Sequence, residues 1–279
     1  MISQLSGALI RAFFVSVVVL LPAVLLPQEN PQIMDAVVLL ALFAGLFVVV
    51  EYASIYPGLV EFRDAPPFNR VRFGILAVTV LFLTLVMRGQ TDPTTLSRLL
   101  EAIGLLLGRS VDLPGSPIRL ILWLLPEGTT LGEAHLVRVS AGLSYLVALV
   151  GLTVFAIMIR VQRWPTPSGA FNVWINLPTF DPTAGADVVR RLNRDGLINI
   201  LLGVALPYIT PPLVLHVGSS YDLSLFSSEL VLIWVMATWA FLPASLFLRG
   251  IAMRRLALMI TAKRRRFDDA MTDPSFLPA

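Results

Sequence analysis

Long apolar runs separated by short polar segments organise most of the chain. Six of these runs contain no Asp, Glu, Lys or Arg: Ala12–Pro27, Ala36–Val50, Phe73–Met87, Val139–Ile159, Leu197–Leu215 and Leu230–Leu248. A helix needs about 20 residues to cross a bilayer, and flanking residues can extend the shorter runs to the interface. The pattern therefore predicts an all-α polytopic bundle of six transmembrane helices, at about 8–27, 34–54, 72–88, 138–160, 197–216 and 229–249.

The segment between the third and fourth spans, 89–137, contains two apolar pieces that are too short to cross a membrane. Asp92 followed by proline has the pattern of an N-cap, which predicts a helix ending near Leu107. The second piece is Pro117–Leu125. We expect two amphipathic helices lying in the membrane interface. The alternative is a re-entrant hairpin through Arg109–Ser116, which would form a pore-like element.

Two further loops, 57–71 and 161–196, combine prolines, aromatic residues and charged residues. Aromatic side chains, above all Trp and Tyr, often form belts at the level of the lipid headgroups. The second loop contains four such residues: Trp164, Phe171, Trp174 and Phe180. We therefore expect these side chains at the interface, and we expect the two loops to pack against each other.

Asp181 is followed by proline, which again predicts an N-cap and a first-turn proline. The helix that it begins would carry Val188 and Leu192 along the membrane surface. Gly196 would then turn the chain into the fifth span. This pattern favours a capping role for Asp181 over a catalytic one.

Basic residues are distributed very unevenly between the two sides of the bundle. The positive-inside rule places the richer side in the cytoplasm. Sixteen of the 21 basic residues fall on one side: Arg11, Arg63, Arg70, Arg72, Arg160, Arg163, Arg190, Arg191, Arg194, Arg249, Arg254, Arg255 and Lys263–Arg266. Both termini, the loops 57–71 and 161–196, and the tail 250–279 are thus expected to be cytoplasmic. The segment 89–137 is expected to be periplasmic, and the tail cluster favours anionic lipids.

Composition supports a membrane location. The chain is 56% hydrophobic and 14% charged, whereas soluble domains carry roughly 25% charged residues. Its basic residues lie beside apolar runs, so we expect no nucleic-acid partner. The excess of arginine over lysine is typical of a GC-rich bacterial genome, so the membrane that we expect is a bacterial inner membrane. The first run lacks a small-x-small cleavage pattern, so we expect it to remain as a span.

Candidate chemistry is sparse, because the six apolar runs contain no ionisable acid or base. Glu51 comes nearest and is expected to be an interfacial carboxylate paired with Arg63 or Arg163; a role in proton movement is the alternative. The fifth run contains Pro207, Pro211 and Pro212. Prolines remove backbone donors, so we expect a kinked or broken helix, and broken helices form solute sites in transporters.

No cofactor or metal site is predicted, because the two histidines match no ligand spacing and cysteine is absent. No nucleophile motif or phosphate-binding loop occurs either. The sequence therefore favours a structural, assembly or interaction component of the membrane, with a membrane-protein partner or a second copy of the chain. One alternative is a transporter or channel for a small or lipid-like solute that uses the fifth span. A membrane-embedded enzyme is the second alternative.

Overall fold

A computed structural model describes residues 2–27, 31–162, 164–165, 171–181, 187–220 and 228–272. The chain in these ranges is helical, without strands. Its helices are α1 (Ile2–Leu25), α2 (Pro31–Ala53), α3 (Phe68–Thr91), α4 (Thr95–Ser110), α5 (Pro117–Trp123), α6 (Leu131–Val161), α7 (Val173–Asn176), α8 (Val188–Ser220) and α9 (Glu229–Thr272). The predicted all-α class is confirmed.

Six of these helices are long and apolar enough to cross a membrane: α1, α2, α3, α6, α8 and α9. Each contains all or most of one of the six apolar runs, because a run without charged residues can lie in hydrocarbon while the helix satisfies its own backbone groups. The predicted number of spans is confirmed. The helix arrangement is consistent with a multi-pass membrane protein.

The last helix is much longer than its apolar run. At 1.5 Å per residue, the 44 residues of α9 extend over about 66 Å, roughly twice the thickness of the hydrocarbon core. Residues 250–272 of the predicted tail therefore continue the helix. Ala252, Met253 and Leu256 are buried at helical spacing, which gives this extension an apolar face to pack against the rest of the protein.

Helices α8 and α9 lie side by side, and glycines bring their backbones into contact. A Cβ atom on Gly250 would lie 2.6 Å from the carbonyl oxygen of Gly196, which is closer than real Cβ contacts. Small residues permit this approach between membrane helices. The predicted turn at Gly196 is wrong, because α8 runs through this residue without interruption. Gly196 serves helix packing instead.

A second close crossing joins α4 to α6. Gly104 and Gly108 of α4 form a small-xxx-small pair, and Gly142 of α6 lies against them. A Cβ atom on Gly142 would lie 2.6 Å from the backbone nitrogen of Gly108 and closer still to the carbonyl oxygen of Gly104. The backbones themselves thus form this contact, and it fixes α4 across the N-terminal part of α6.

The two short helices α4 and α5 occur where the sequence places them, but the start of α4 differs. Thr94 is its N-cap and forms a reciprocal capping box with Ser97, whereas Asp92 ends α3. The predicted cap at Asp92 is therefore wrong. Thr94 prevails because two reciprocal side-chain bonds satisfy the first backbone N–H groups of the helix.

The turn between α4 and α5 is held by one carboxylate. Asp112 accepts hydrogen bonds from Arg119 at 2.7 Å and from Arg138 at 3.3 Å. The hydrogen bond from Arg119 holds the pKa of Asp112 below its usual range, although partial burial of the carboxylate acts in the opposite direction. This turn is thereby attached to α6 as well as to α5.

The close contact at Gly142 predicts a large effect of a single methyl group. We expect Gly142→Ala to lower the free energy of unfolding by about 1–3 kcal/mol, because both atoms that block the new Cβ belong to backbone. Gly132→Ala in the same helix is the matched control, because its Cβ would make only ordinary contact, at 3.9 Å. Thermal unfolding in mild detergent measures both. Equal stability of the two variants would contradict the crossing.

Candidate functional site

The end of the bundle where α2 and α6 end is covered by a compact structure that we name the loop cap. It comprises residues 54–67, Trp164, Pro165 and 171–181. Phe62 packs on Phe68 with ring centroids 4.5 Å apart and on Trp164 at 5.5 Å. The indole Nε1 of Trp164 donates to the carbonyl oxygen of Ala65 at 3.1 Å. An aromatic core thus lies beneath the loops.

This core corrects the predicted aromatic belt. Trp164 is 2% exposed and Phe180 is 5% exposed, while Phe171 is partly buried against Phe62. Trp174 alone among the four is largely exposed, at 57%. Three of the four aromatic side chains are therefore used inside the loop cap, because they bury more apolar area against each other than at a surface.

The two loops bind each other mainly through Asn176 of α7. Its backbone carbonyl accepts the N–H of Phe62 at 2.6 Å, and its side-chain oxygen accepts the N–H of Asp64 at 3.0 Å. The hydroxyl of Thr179 donates to Glu61 at 2.8 Å. The expected contact between the loops is confirmed, and it consists of specific hydrogen bonds.

An ion pair connects the first loop to the long helix. Arg249 of α9 donates to both carboxylate oxygens of Glu61, at 2.6 and 2.7 Å, and its third nitrogen donates to the side chain of Asn199 in α8 at 3.0 Å. The side chain of Glu61 is only 11% exposed and that of Arg249 is 29% exposed. Bidentate geometry makes this a strong, oriented contact between the loop cap and the bundle.

Glu51 and Arg63 lie together, as expected, but they do not pair through their charged groups. The carboxylate of Glu51 accepts backbone N–H bonds from Gly58, Leu59 and Val60, the shortest at 2.9 Å. Arg63 donates to the backbone carbonyls of Glu51 at 3.2 Å and Ser54 at 2.6 Å. A carboxylate satisfies loop donors here while a guanidinium satisfies carbonyls at a helix end. Arg163 lies outside the described residues.

Asp181 does not cap the helix that carries Leu192. That helix begins at Val188, and Asp187 is the acidic residue next to its first turn. Asp187 accepts the N–H of Arg190 at 3.4 Å and binds Arg264 at 2.8 Å. The hydrogen bond from Arg264 holds the pKa of Asp187 below its usual range. Asp181 instead accepts a hydrogen bond from Arg191 through its backbone carbonyl.

The three prolines of the fifth span lie inside a continuous helix, so of the two expectations the break is absent from the described part of α8, and the kink stays a prediction. Proline has no N–H, and Pro211 therefore leaves the carbonyl oxygen of Pro207 without its usual partner one turn away. The indole Nε1 of Trp239 in α9 donates to this oxygen at 3.1 Å. A neighbouring helix thus supplies the donor that the proline sequence lacks.

The charged groups of the loop cap are used to hold backbone and side chains in place. No group of three or more His, Cys, Asp or Glu residues that could hold a metal ion occurs within the described residues. Sequence analysis missed Glu61, Asn176, Asn199 and Arg249. Arg249 directly follows the sixth apolar run and Glu61 lies within the first loop, but they are 188 positions apart, and nothing in the sequence pairs them.

The bond to Pro207 predicts a coupling between two substitutions. Trp239→Phe removes the indole donor and should lower the free energy of unfolding by about 1–3 kcal/mol. Pro211→Ala restores a backbone N–H to the same carbonyl, so the loss caused by Trp239→Phe should shrink in the Pro211→Ala background. Unfolding of the four proteins in mixed micelles gives the coupling energy.

Trp234→Phe is the matched control, since it makes the same replacement of an indole by a phenyl ring at another tryptophan of α9. Its cost should be the same with proline or alanine at 211. If Trp239→Phe lowered the free energy of unfolding by the same amount with proline or alanine at position 211, the indole hydrogen bond would not compensate for the proline.

Comparisons with protein-family models, with curated proteins and with solved structures found no match for this chain. The interpretation of the site therefore depends on its geometry. That geometry comprises a bundle with six helices suited to a membrane and a loop cap closed by an aromatic core and an ion pair.

Proposed function

We propose that this chain is a non-enzymatic interaction component of a membrane, and that the loop cap is the surface that binds its partner. The observation that supports this most is the set of contacts that joins the two loops of the loop cap to each other and to α9. Two loops that are distant in sequence are connected by Asn176 and Thr179 and are anchored to α9 through Glu61 and Arg249. Loops held in one conformation lose less entropy on binding.

The same surface displays apolar and aromatic side chains. Tyr56 is 73% exposed, Leu59 is 66% exposed and Trp174 is 57% exposed. Such residues commonly act as anchors at protein interfaces. Because these side chains come from both loops, a partner protein that covered them would contact both loops at once. A membrane-protein partner or a second copy of this chain fits this chemistry.

The setting that we propose is a bacterial inner membrane with both termini and the loop cap in the cytoplasm. The asymmetry of basic residues supports this orientation. Exposed arginines on α8 and α9, including Arg190, Arg194 and Arg254, add positive charge near the cap and suit anionic lipid headgroups. Labelling of Ser168→Cys from outside by an impermeant reagent would overturn the orientation.

The interaction role predicts where a partner can be captured. A photo-reactive amino acid in place of Trp174 or Leu59 should give a discrete protein adduct in intact cells. The same group at Leu131, which is 92% exposed at the start of α6, is the control and should give none. Adducts of equal pattern at all three positions, or none at the two cap positions, would contradict the proposal.

The variants Trp174→Ala and Asp181→Asn distinguish the interaction role from the enzyme alternative, because the two roles predict opposite effects of these substitutions. If the cap binds a partner, Trp174→Ala should remove the adduct formed from Leu59 while Asp181→Asn leaves it unchanged. If a carboxylate in this loop performed chemistry, a phenotype of the chain would be lost with Asp181→Asn and kept with Trp174→Ala. Both variants are compared at matched expression.

A further inference from the structure

A cavity of about 460 Å³ lies between α8 and the first part of α9, with α5 at its edge. Twelve of the described residues line it, and all of these except two threonines are apolar. Trp234 and Trp239 contribute the largest side chains, and Pro211 faces them from α8. The volume is within the range of about 300–1,000 Å³ that small-molecule sites occupy.

The residues that line the cavity are spread along the axis of α9. Its lining on α9 extends from Leu230 to Leu242, which corresponds to about 18 Å at 1.5 Å per residue. One leaflet contributes half of a hydrocarbon core that is about 30 Å thick. The cavity therefore has the length over which a lipid chain from a single leaflet extends.

The cavity opens at the lateral surface of the helix bundle, beside α9. Thr238 and Leu242 line it and are exposed, Leu242 at 41%. Both belong to the long apolar helix α9, so the opening faces hydrocarbon when α9 crosses a bilayer. A chain could enter from the membrane without passing through water. This step depends on the proposed membrane setting, but not on the proposed role of the loop cap.

The chemistry of the lining selects an apolar occupant. The hydroxyl of Thr210 already donates to the carbonyl oxygen of Leu206 at 2.8 Å, and none of the described residues that line the cavity has an ionisable side chain. A polar solute would lose its hydration without gaining hydrogen bonds. An apolar cavity stays dry and binds apolar molecules, because its lining atoms otherwise lack contact partners.

We propose that this cavity holds one acyl chain of a bilayer phospholipid from the leaflet opposite the loop cap. The tryptophan rings and Pro211 form the walls against which the chain packs. The continuous helix through the prolines gives this wall a fixed shape. Binding then stabilises the contact between α8 and α9 without involving the loop cap.

Delipidated full-length protein in mild detergent tests the site with 1-palmitoyl-2-oleoyl-phosphatidylglycerol, and native mass spectrometry counts the lipids that remain bound. We expect saturable retention of one phospholipid. Val235→Phe on α9 and Thr210→Phe on α8 each place a ring in the cavity from opposite walls. Each should weaken binding about tenfold, which is the effect of losing contact with roughly two methylenes.

Ile209→Phe is the matched control, since Ile209 lies next to Thr210, is 52% exposed and does not line the cavity. It should bind phospholipid like the unchanged protein, and so should Trp174→Ala in the loop cap. Equal binding by the filled variants and the control would overturn the proposal. So would stronger retention of oleic acid than of phospholipid, because the occupant would then be a free fatty acid.

A measurement without substitutions keeps the test independent of variant folding. The same phospholipid carrying bromine atoms on its acyl chain should quench tryptophan fluorescence of the unchanged protein in a saturable way at one equivalent, because Trp234 and Trp239 line the cavity. Quenching that rises without saturation would overturn the proposal even if a filled variant failed to fold.

Discussion

The carboxylate of Glu61 and the guanidinium of Arg249 face each other where the first loop meets α9, and the loop cap depends on both. Each carboxylate oxygen accepts one guanidinium N–H, at 2.6 and 2.7 Å. Removing one member of a buried pair leaves the other charge without compensation, which is costly. Because Arg249 retains 29% exposure, we place this cost at up to about 3 kcal/mol, the lower end for such pairs. The main effect of the pair is therefore to hold the first loop in position on α9, and its contribution to the stability of the helix bundle is smaller.

A different constraint applies to the six apolar helices: their backbone N–H and C=O groups need hydrogen-bond partners where water is scarce. Glycines at Gly196, Gly250 and Gly142 let helices meet backbone to backbone. Trp239 supplies the hydrogen bond that Pro211 removes from the helix. A tryptophan side chain thus compensates for a missing backbone donor, and glycines permit close contact between helices. The network of polar side chains is concentrated at the loop cap.

Much of the fold could be predicted from the sequence, because apolar runs without charges have one stable arrangement in lipid. The six helices follow from that pattern, and the contact between the two loops follows from their shared prolines, aromatic residues and charges. Helix ends could not be predicted as well: Asp92 and Asp181 have the N-cap pattern, yet Thr94 and Asp187 hold those positions. The pairing of Glu61 with Arg249 depends on tertiary packing, which no local signal encodes. The small-xxx-small pair Gly104–Gly108 is visible in the sequence as a signal of a close helix crossing, but its partner Gly142 is not.

Hydrogen exchange of the backbone N–H groups of Phe62 and Asp64 tests most directly whether the ion pair fixes the loop cap. These groups donate to Asn176, so they should exchange slowly in the intact protein and much faster in Glu61→Gln. Amides of α4 should be unchanged and serve as the internal control. Slow exchange of both groups that persisted in Glu61→Gln, or fast exchange in the intact protein, would contradict this account.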